Sequence, residues 1–328
     1  MAQKTITVIL VLIIIGGLAW YFNKTYLQPS TGHSLEKLPQ FKNSPSNGEN
    51  FEGKLIYTTK GAAREIWQVD VQKESKKLFT DADEAEKFIK VSNLAPYSKE
   101  IFVITSAEGS SLSGKLVSID LVTAKENVLR KTFTVPLSWA VSQDGQKIVY
   151  TKFSNIEESY GYTLYLENRD GLNLRELTRN DSEIRLPAWN KDSTKIAFVQ
   201  NSGVNSKLSV VNVDSTEVEE VKSFENQIID SVSWSGDKLI LSVRSLDNTK
   251  EGMIEIINLN GKNLEKVTDY SGGVANFVFL DSSSWLGYLI GQYQGNIDDS
   301  VTGQIYIKNL SDKAIPVQKG NQVLGWLP

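Results

Sequence analysis

The sequence predicts an all-β protein: a six-bladed β-propeller of four-stranded antiparallel blades, its ring closed by the C-terminal strand and preceded by one transmembrane helix. Three observations predict it. One apolar strand phrase recurs six times along the 328 residues. A polar turn and a short strand follow most copies, and a spare strand stands at the C-terminus where the first blade lacks one. Self-similarity at a fixed period is the mark of a repeat architecture.

The recurring phrase begins at Ile66, Leu116, Leu164, Leu208, Ile254 and Ile305, with spacings of 50, 48, 44, 46 and 51 residues. Each copy ends at Asp or Asn: Asp70, Asp120, Asn168, Asn212, Asn258 and Asn309. Turns such as Asp170-Gly171 and Asn260-Gly261 follow, and both dipeptides tolerate the positive φ of hairpin turns. A second apolar strand precedes each phrase, as at Leu55-Ile56-Tyr57, Ile148-Val149-Tyr150 and Ile196-Ala197-Phe198. Before five of those comes a strand near a bulky residue: Leu94, Val141 with Trp139 beside it, Trp189, Trp234 and Phe279. The unit is therefore four strands in about 45 to 50 residues. A unit this small cannot bury a core alone and must stack on copies of itself. A β-sandwich has no reason to repeat one four-strand phrase, and the coils of a β-solenoid are shorter than this period.

Ring closure follows from the first and last copies. The first blade begins at Gly53 with its second strand, and only linker precedes it. The chain ends in Val323-Leu324-Gly325-Trp326, and Trp326 lies 47 residues after Phe279, one repeat period. Val323 to Trp326 is expected to pair with Leu55 to Thr58 as the missing strand, which removes two open sheet edges.

Trp189-Asn190-Lys191-Asp192-Ser193-Thr194-Lys195-Ile196-Ala197-Phe198 resembles the TolB-type propeller repeat, a WD-repeat-like family, whose consensus runs Trp-Ser-Pro-Asp-Gly, two residues, then an apolar strand. Ser142-Gln143-Asp144-Gly145-Gln146-Lys147-Ile148 keeps the Asp-Gly turn, and Leu164 to Thr178 resembles the ending that follows it in that family. The resemblance spans about Gly53 to Pro328 and implies a TolB-like six-bladed fold. The consensus proline is absent throughout, and the place of the extra domain ahead of the TolB ring is taken here by an apolar segment and a linker.

That apolar segment is Ile6 to Phe22, of which eleven residues are Ile, Leu, Val or Phe and none is charged. As a helix it would be about 25 Å long, a short but adequate span. Trp20 and Tyr21 stand where an interfacial aromatic belt belongs. No small-x-small site follows, which favours an uncleaved signal anchor over a removed leader. Lys4 ahead of the run points the N-terminus inward. The expectation is a single-pass protein of the cell membrane, anchored through residues 6–22, with its ring outside the cytoplasm. The organisation expected is anchor 1–24, polar linker 25–50 and ring 51–328.

Composition narrows the function. The net charge is −4 and the Lys and Arg residues are scattered, which speaks against nucleic acid as a partner. There is no Cys, so disulfides, Cys-ligated zinc, thiol catalysis and a lipoprotein anchor are excluded. His33, the one histidine, falls in the linker. With no Gly-x-Ser-x-Gly elbow either, no nucleophilic triad is expected. Asp81, Asp83, Glu84 and Glu86 cluster, as do Asp298 and Asp299, and calcium takes such oxygen ligands. The first group reads more simply as the opening turn of a short helix running to Phe88. No metal site, cofactor or catalytic residue is assigned. Trp139, Trp189 and Trp234 read as packing between blades.

The function expected is therefore a membrane-anchored, non-enzymatic binding or scaffold ring that meets an envelope protein or glycan. The alternative is a hydrolase or lyase acting on envelope carbohydrate or peptide through channel-facing carboxylates. Within a blade, the connections between strands two and three, and those to the next blade, leave on the same rim. The long ones collect there: Ala107 to Gly114, Ser154 to Gly161, Asn201 to Ser206, Ser245 to Gly252 and Gly291 to Gly303. Loops on a rigid scaffold carry function, so Tyr160, Tyr162, Tyr270 and Tyr293 are the candidate binding residues.

Overall fold

A computed structural model describes residues 53–59, 65–70, 74–80, 86–107, 112–156, 159–247, 251–262, 265–271, 274–280, 285–293, 301–309, 314–320 and 322–327. The apolar run 6–22, the linker with His33, the acids Asp81, Asp83 and Glu84, and the pair Asp298–Asp299 lie outside them. Among the described residues no helix is long and apolar enough to cross a membrane.

The described chain is all strand and turn. Blade 1 takes β1 (Lys54–Thr59), β2 (Glu65–Val69) and β3 (Ser75–Thr80). Blade 2 is β4 (Glu86–Ala95), β5 (Glu100–Ala107), β6 (Ser113–Asp120) and β7 (Glu126–Thr134). Blade 3 is β8 (Ser138–Val141), β9 (Lys147–Ile156), β10 (Ser159–Asn168) and β11 (Arg175–Asn180). Blade 4 is β12 (Glu183–Trp189), β13 (Lys195–Ser202), β14 (Asn205–Asn212) and β15 (Val218–Phe224). Blade 5 is β16 (Gln227–Ser235), β17 (Lys238–Ser245), β18 (Glu251–Asn258) and β19 (Glu265–Ser271). Blade 6 is β20 (Val274–Leu280), β21 (Trp285–Tyr293), β22 (Val301–Asn309) and β23 (Ile315–Gly320). The last strand, β24 (Gln322–Leu327), returns to blade 1 and gives the sheet order β24-β1-β2-β3. Its register sets Leu55 opposite Trp326 and Tyr57 opposite Val323, the pairing expected from the repeat period. The first strand of each blade touches its counterparts in both neighbouring blades, so the six blades form a closed ring.

The core is divided among six inter-blade layers. Between blades 3 and 4 the layer includes Leu164, Leu166, Ile184, Trp189, Ile196 and Phe198. Between blades 4 and 5 it includes Ala197, Val199, Leu239, Leu241 and Trp234. Strand β13 thus sends Ile196 and Phe198 to one neighbour and Ala197 and Val199 to the other. A strand buried on both faces reads as a continuous apolar run rather than an alternation, as Leu55-Ile56-Tyr57 does.

A repeated hydrogen bond ties the layers together. The indole N–H of Trp189 donates to the carbonyl of Ala140 (3.3 Å), that of Trp234 to Ala188 (2.9 Å) and that of Trp326 to Val278 (3.2 Å). Each reaches the first strand of the preceding blade, 46 to 49 residues back. A buried Trp needs a partner for its one donor, and the repeat supplies the same one each time.

The Asp or Asn that ends the third strand has a physical reason in blades 2 and 4. Asp120 Oδ1 accepts the N–H groups of Val122 (2.8 Å) and Thr123 (2.9 Å), and Asn212 Oδ1 accepts those of Asp214 (2.9 Å) and Ser215 (3.1 Å). These are side-chain turns that start the hairpin to the outer strand. In the turn after β18, Gly261 has φ +72°, and a Cβ there would lie 2.3 Å from the carbonyl of Val221.

The short helix expected to run from Asp81 to Phe88 is not formed at its end. Glu86 to Phe88 open β4, with Glu86 opposite Ala107 and Phe88 opposite Thr105. Pairing with β5 overrides the helical preference of an Ala- and Glu-rich run, because propensity is weak beside a full strand ladder.

Candidate functional site

In blade 3, β9 and β10 outrun their own sheet. Pairing of β8 with β9 stops at Ser138–Thr151, and pairing of β10 with β11 stops at Tyr162–Asn180. Pairing of β9 with β10 continues to Ile156–Ser159. The segment expected to be a loop, Ser154 to Gly161, is therefore mostly a two-stranded ribbon standing above the rim. In blade 4 the segment Asn201 to Ser206 also pairs as strand, across a two-residue turn at Gly203-Val204, but there the flanking strands follow it to Glu183–Asn201 and Ser206–Phe224. Both segments are largely polar in sequence, which hides the alternation by which a strand is recognised.

The ribbon of blade 3 carries aromatic side chains on one face. Phe153 is directly opposite Tyr162, and Tyr160 lies two residues from Tyr162 on the same side. The Phe153 and Tyr160 rings stack at 5.8 Å between centroids with an 8° angle between planes. The Tyr162 ring is 5.1 Å from Phe153. Tyr162 also packs on the layer between blades 3 and 4, so this face looks towards blade 4. Phe153 is 53% exposed and Tyr160 63%. A stacked pair of that exposure buries too little to be explained by packing of the ring.

At the rim of blade 4, with Asn180 of blade 3 on its wall, lies a cavity of about 280 Å³. Asn180, Gln200, Asn205, Ser206, Lys207 and Glu225 are among the residues lining it. Three side-chain amides there use their oxygens internally. Asn180 Oδ1 accepts Ser182 N–H (2.8 Å), Asn205 Oδ1 accepts Asn226 N–H (3.1 Å) and Gln200 Oε1 accepts the Ser209 hydroxyl (3.2 Å). Backbone donors fix the orientation of the first two amides, since only an oxygen can accept.

The four tyrosines named from the sequence do not come together. Tyr160 and Tyr162 share the ribbon. Tyr270 is a correction: it belongs to β19, is buried, and exchanges a hydrogen bond with Ser242 (2.8 Å). Its ring fills the space over Gly252, where a Cβ would lie 2.3 Å from it. Tyr293 ends β21 opposite Val301, and its side chain lies outside the described residues. Phe153, Asn180, Gln200 and Asn205 were not singled out from the sequence. Counting back along the hairpin from Tyr160 and Tyr162 would have found Phe153; the amides carry no sequence signal.

Two of the described carboxylates, Glu100 and Glu167, join blades 2 and 3. Arg169 grips Glu100 with two hydrogen bonds (3.0 and 3.1 Å), joining blades 3 and 2, and Arg130 bonds Glu167 across the same interface at 2.6 Å. Burial pushes the Glu100 carboxyl up, but the Arg169 guanidinium and the hydroxyls of Ser118 and Ser98 outweigh it and hold it below its ordinary value. Glu255 differs. It is buried between blades 5 and 4, its Oε2 has no hydrogen-bond partner, and burial raises its pKa, with Lys222 pulling the other way. Among the described residues no three His, Asp or Glu side chains gather as a metal-binding group.

No model of a known protein family matches the sequence, and no curated protein matches it. Solved structures do match. TolB from Acinetobacter baumannii is 16% identical, with a TM-score of 0.61 over 85% of this chain and 68% of its own. A chain of a nidogen/laminin complex is 12% identical, with a TM-score of 0.58 over 84% of this chain and 97% of its own. A protein of Agrobacterium tumefaciens assigned as TolB is 13% identical, with a TM-score of 0.54 over 82% and 90%. At such identities the likeness concerns fold alone, and the fold is that of a TolB-like six-bladed β-propeller.

Proposed function

We propose that the ring is a non-enzymatic binding or scaffold module, held at the cell membrane through residues 6–22 with its ring outside the cytoplasm. It meets an envelope protein or glycan with the rim of blades 3 and 4. The observation that carries this is the exposed Phe153–Tyr160 stack on a ribbon that projects beyond its sheet. Aromatic side chains are enriched where proteins recognise partners, because they offer a large rigid area at little conformational cost. One of the similar folds comes from a nidogen/laminin complex, a protein–protein assembly, which supports a binding role by analogy only. The reading as a hydrolase or lyase has less support. Glu65, Glu100, Glu167 and Asp230 each pair with Lys or Arg, and Glu255 sits inside an inter-blade layer.

The test is site-specific photo-crosslinking in cells. A photoreactive residue at Tyr160 should give discrete adducts. The same residue at Tyr97, 62% exposed in a turn on the opposite rim, should give none of them. Identical adduct patterns from the two positions would refute a dedicated binding rim.

A further inference from the structure

We infer that the rim between blades 3 and 4 binds a neutral oligosaccharide, an assignment that rests on the binding-module reading and narrows it. Three observations converge. The first is the stock of unused donors. Asn180 and Asn205 each give their amide oxygen to a backbone N–H, and among the described residues neither of their NH2 groups donates to a protein acceptor. Gln200 is only 6% exposed, lines the cavity and bonds the Ser209 hydroxyl, which leaves the rest of its amide for a ligand. Amide donors that the fold does not use are available to a ligand acceptor. The matching ligand is rich in oxygen acceptors.

The second observation is charge. Lys207 faces Glu220 at 3.7 Å, and Glu225 lines the same cavity. With Lys207 so matched, the Glu225 carboxylate is left over, and it repels a polyanion, so the cavity calls for a ligand without negative charge. Hydroxyl and ring oxygens meet that requirement; carboxylates and phosphates do not.

The third is the aromatic ribbon. Tyr160 is two residues beyond Tyr162, about 7 Å along the strand, and Tyr162 is paired with Asn180. One face of the Tyr160 ring covers Phe153, and the residue is 63% exposed, which leaves ring surface for the C–H face of a pyranose. Stacking area and amide donors thus lie within the reach of one short oligosaccharide. Apolar area with a few convergent polar groups is the usual make-up of a small-molecule site.

Isothermal titration calorimetry on the full-length chain tests this with cellotetraose, maltotetraose and chitotetraose, and with trigalacturonate as the anionic comparison. At least one neutral sugar should bind saturably. Tyr160→Ala should weaken it by about tenfold or more. Asn205→Asp should do the same: it keeps the acceptor for Asn226 and removes the donor, so a loss cannot be ascribed to a lost turn. Tyr97→Ala should change nothing. Binding that survives both Tyr160→Ala and Asn205→Asp places the site elsewhere and overturns the assignment. Binding of trigalacturonate alone overturns the neutral class. If no sugar binds but Tyr160 still gives its own cross-links to a protein, the sugar assignment falls and the binding rim stands; if neither occurs, both fall.

Discussion

Trp326→Ala tests ring closure. Trp326 is 4% exposed and packs against residues of two blades, among them Leu55, Tyr57, Trp285, Leu289 and Ile305. Its indole N–H is bonded to Val278 of blade 6 while its backbone pairs with Leu55 of blade 1. The substitution therefore removes packing and a hydrogen bond from the one interface that joins the ends of the ring. Removing a buried Trp side chain costs roughly 3 to 5 kcal/mol, against a net stability on the order of 5 to 15 kcal/mol for a domain. At about 2 to 4 °C per kcal/mol for a domain of this size class, the midpoint should fall by about 6 to 20 °C. Differential scanning calorimetry at several scan rates reads that shift, and limited proteolysis reads opening of the ring. Trp326→Phe keeps most of the bulk and loses the donor, so its cost should be smaller, about 1 to 3 kcal/mol for the carbonyl of Val278 left without its partner. A Trp326→Ala protein that melts within about 2 °C of the parent, an effect below 1 kcal/mol, would refute the latch. So would a chain lacking residues 321–328 that melts like the parent.

Two further outcomes are expected. Burial raises the pKa of Glu255 above its ordinary 4.5, so the folded state binds this proton more tightly than the unfolded state. The contribution is favourable below the unfolded value and is lost as pH rises through the folded one. Glu255→Gln should therefore gain stability over the parent between about pH 4.5 and neutrality, with little difference at pH 4; denaturant midpoints with a pH-independent gap would show that the charge is not what matters. For topology, protease added to intact cells should remove a ring epitope and leave a membrane-held stub, and protection until lysis would reverse the orientation proposed for residues 6–22.

The blade count and the closing strand could be read directly because each depends on a period. A residue such as Trp326 occupies its place whether or not the blades around it are known, and the spacing of 47 residues from Phe279 identifies that place. The asparagines and aspartates around the ends of the third strands were legible for the same reason: Asp120 and Asn212, and Asp170 and Asn260 just beyond their strands, cap local turns within a few residues of themselves. Where solvent or a distant strand decides, sequence was a poor guide. Ser154 to Gly161 resembles a loop in composition, yet most of it is a ribbon paired strand to strand. Glu86 to Phe88 resembles a helix start, yet β5 claims its backbone.

What the sequence by itself determined is the architecture: six copies of one phrase must stack, and the last strand must complete the first blade. Only the tertiary structure decided which side chains stand exposed at the rim. Tyr160 and Tyr270 look alike in the sequence, each near the end of a strand at a rim, but Tyr160 stands on a ribbon beyond its sheet while Tyr270 folds over Gly252 onto Ser242. Likewise Asn180 of blade 3 lines one cavity with Gln200 and Asn205 of blade 4 only because the two blades are docked. Periodicity is a local property written along the chain. Exposure and convergence depend on which blade edges are covered, and packing alone settles that.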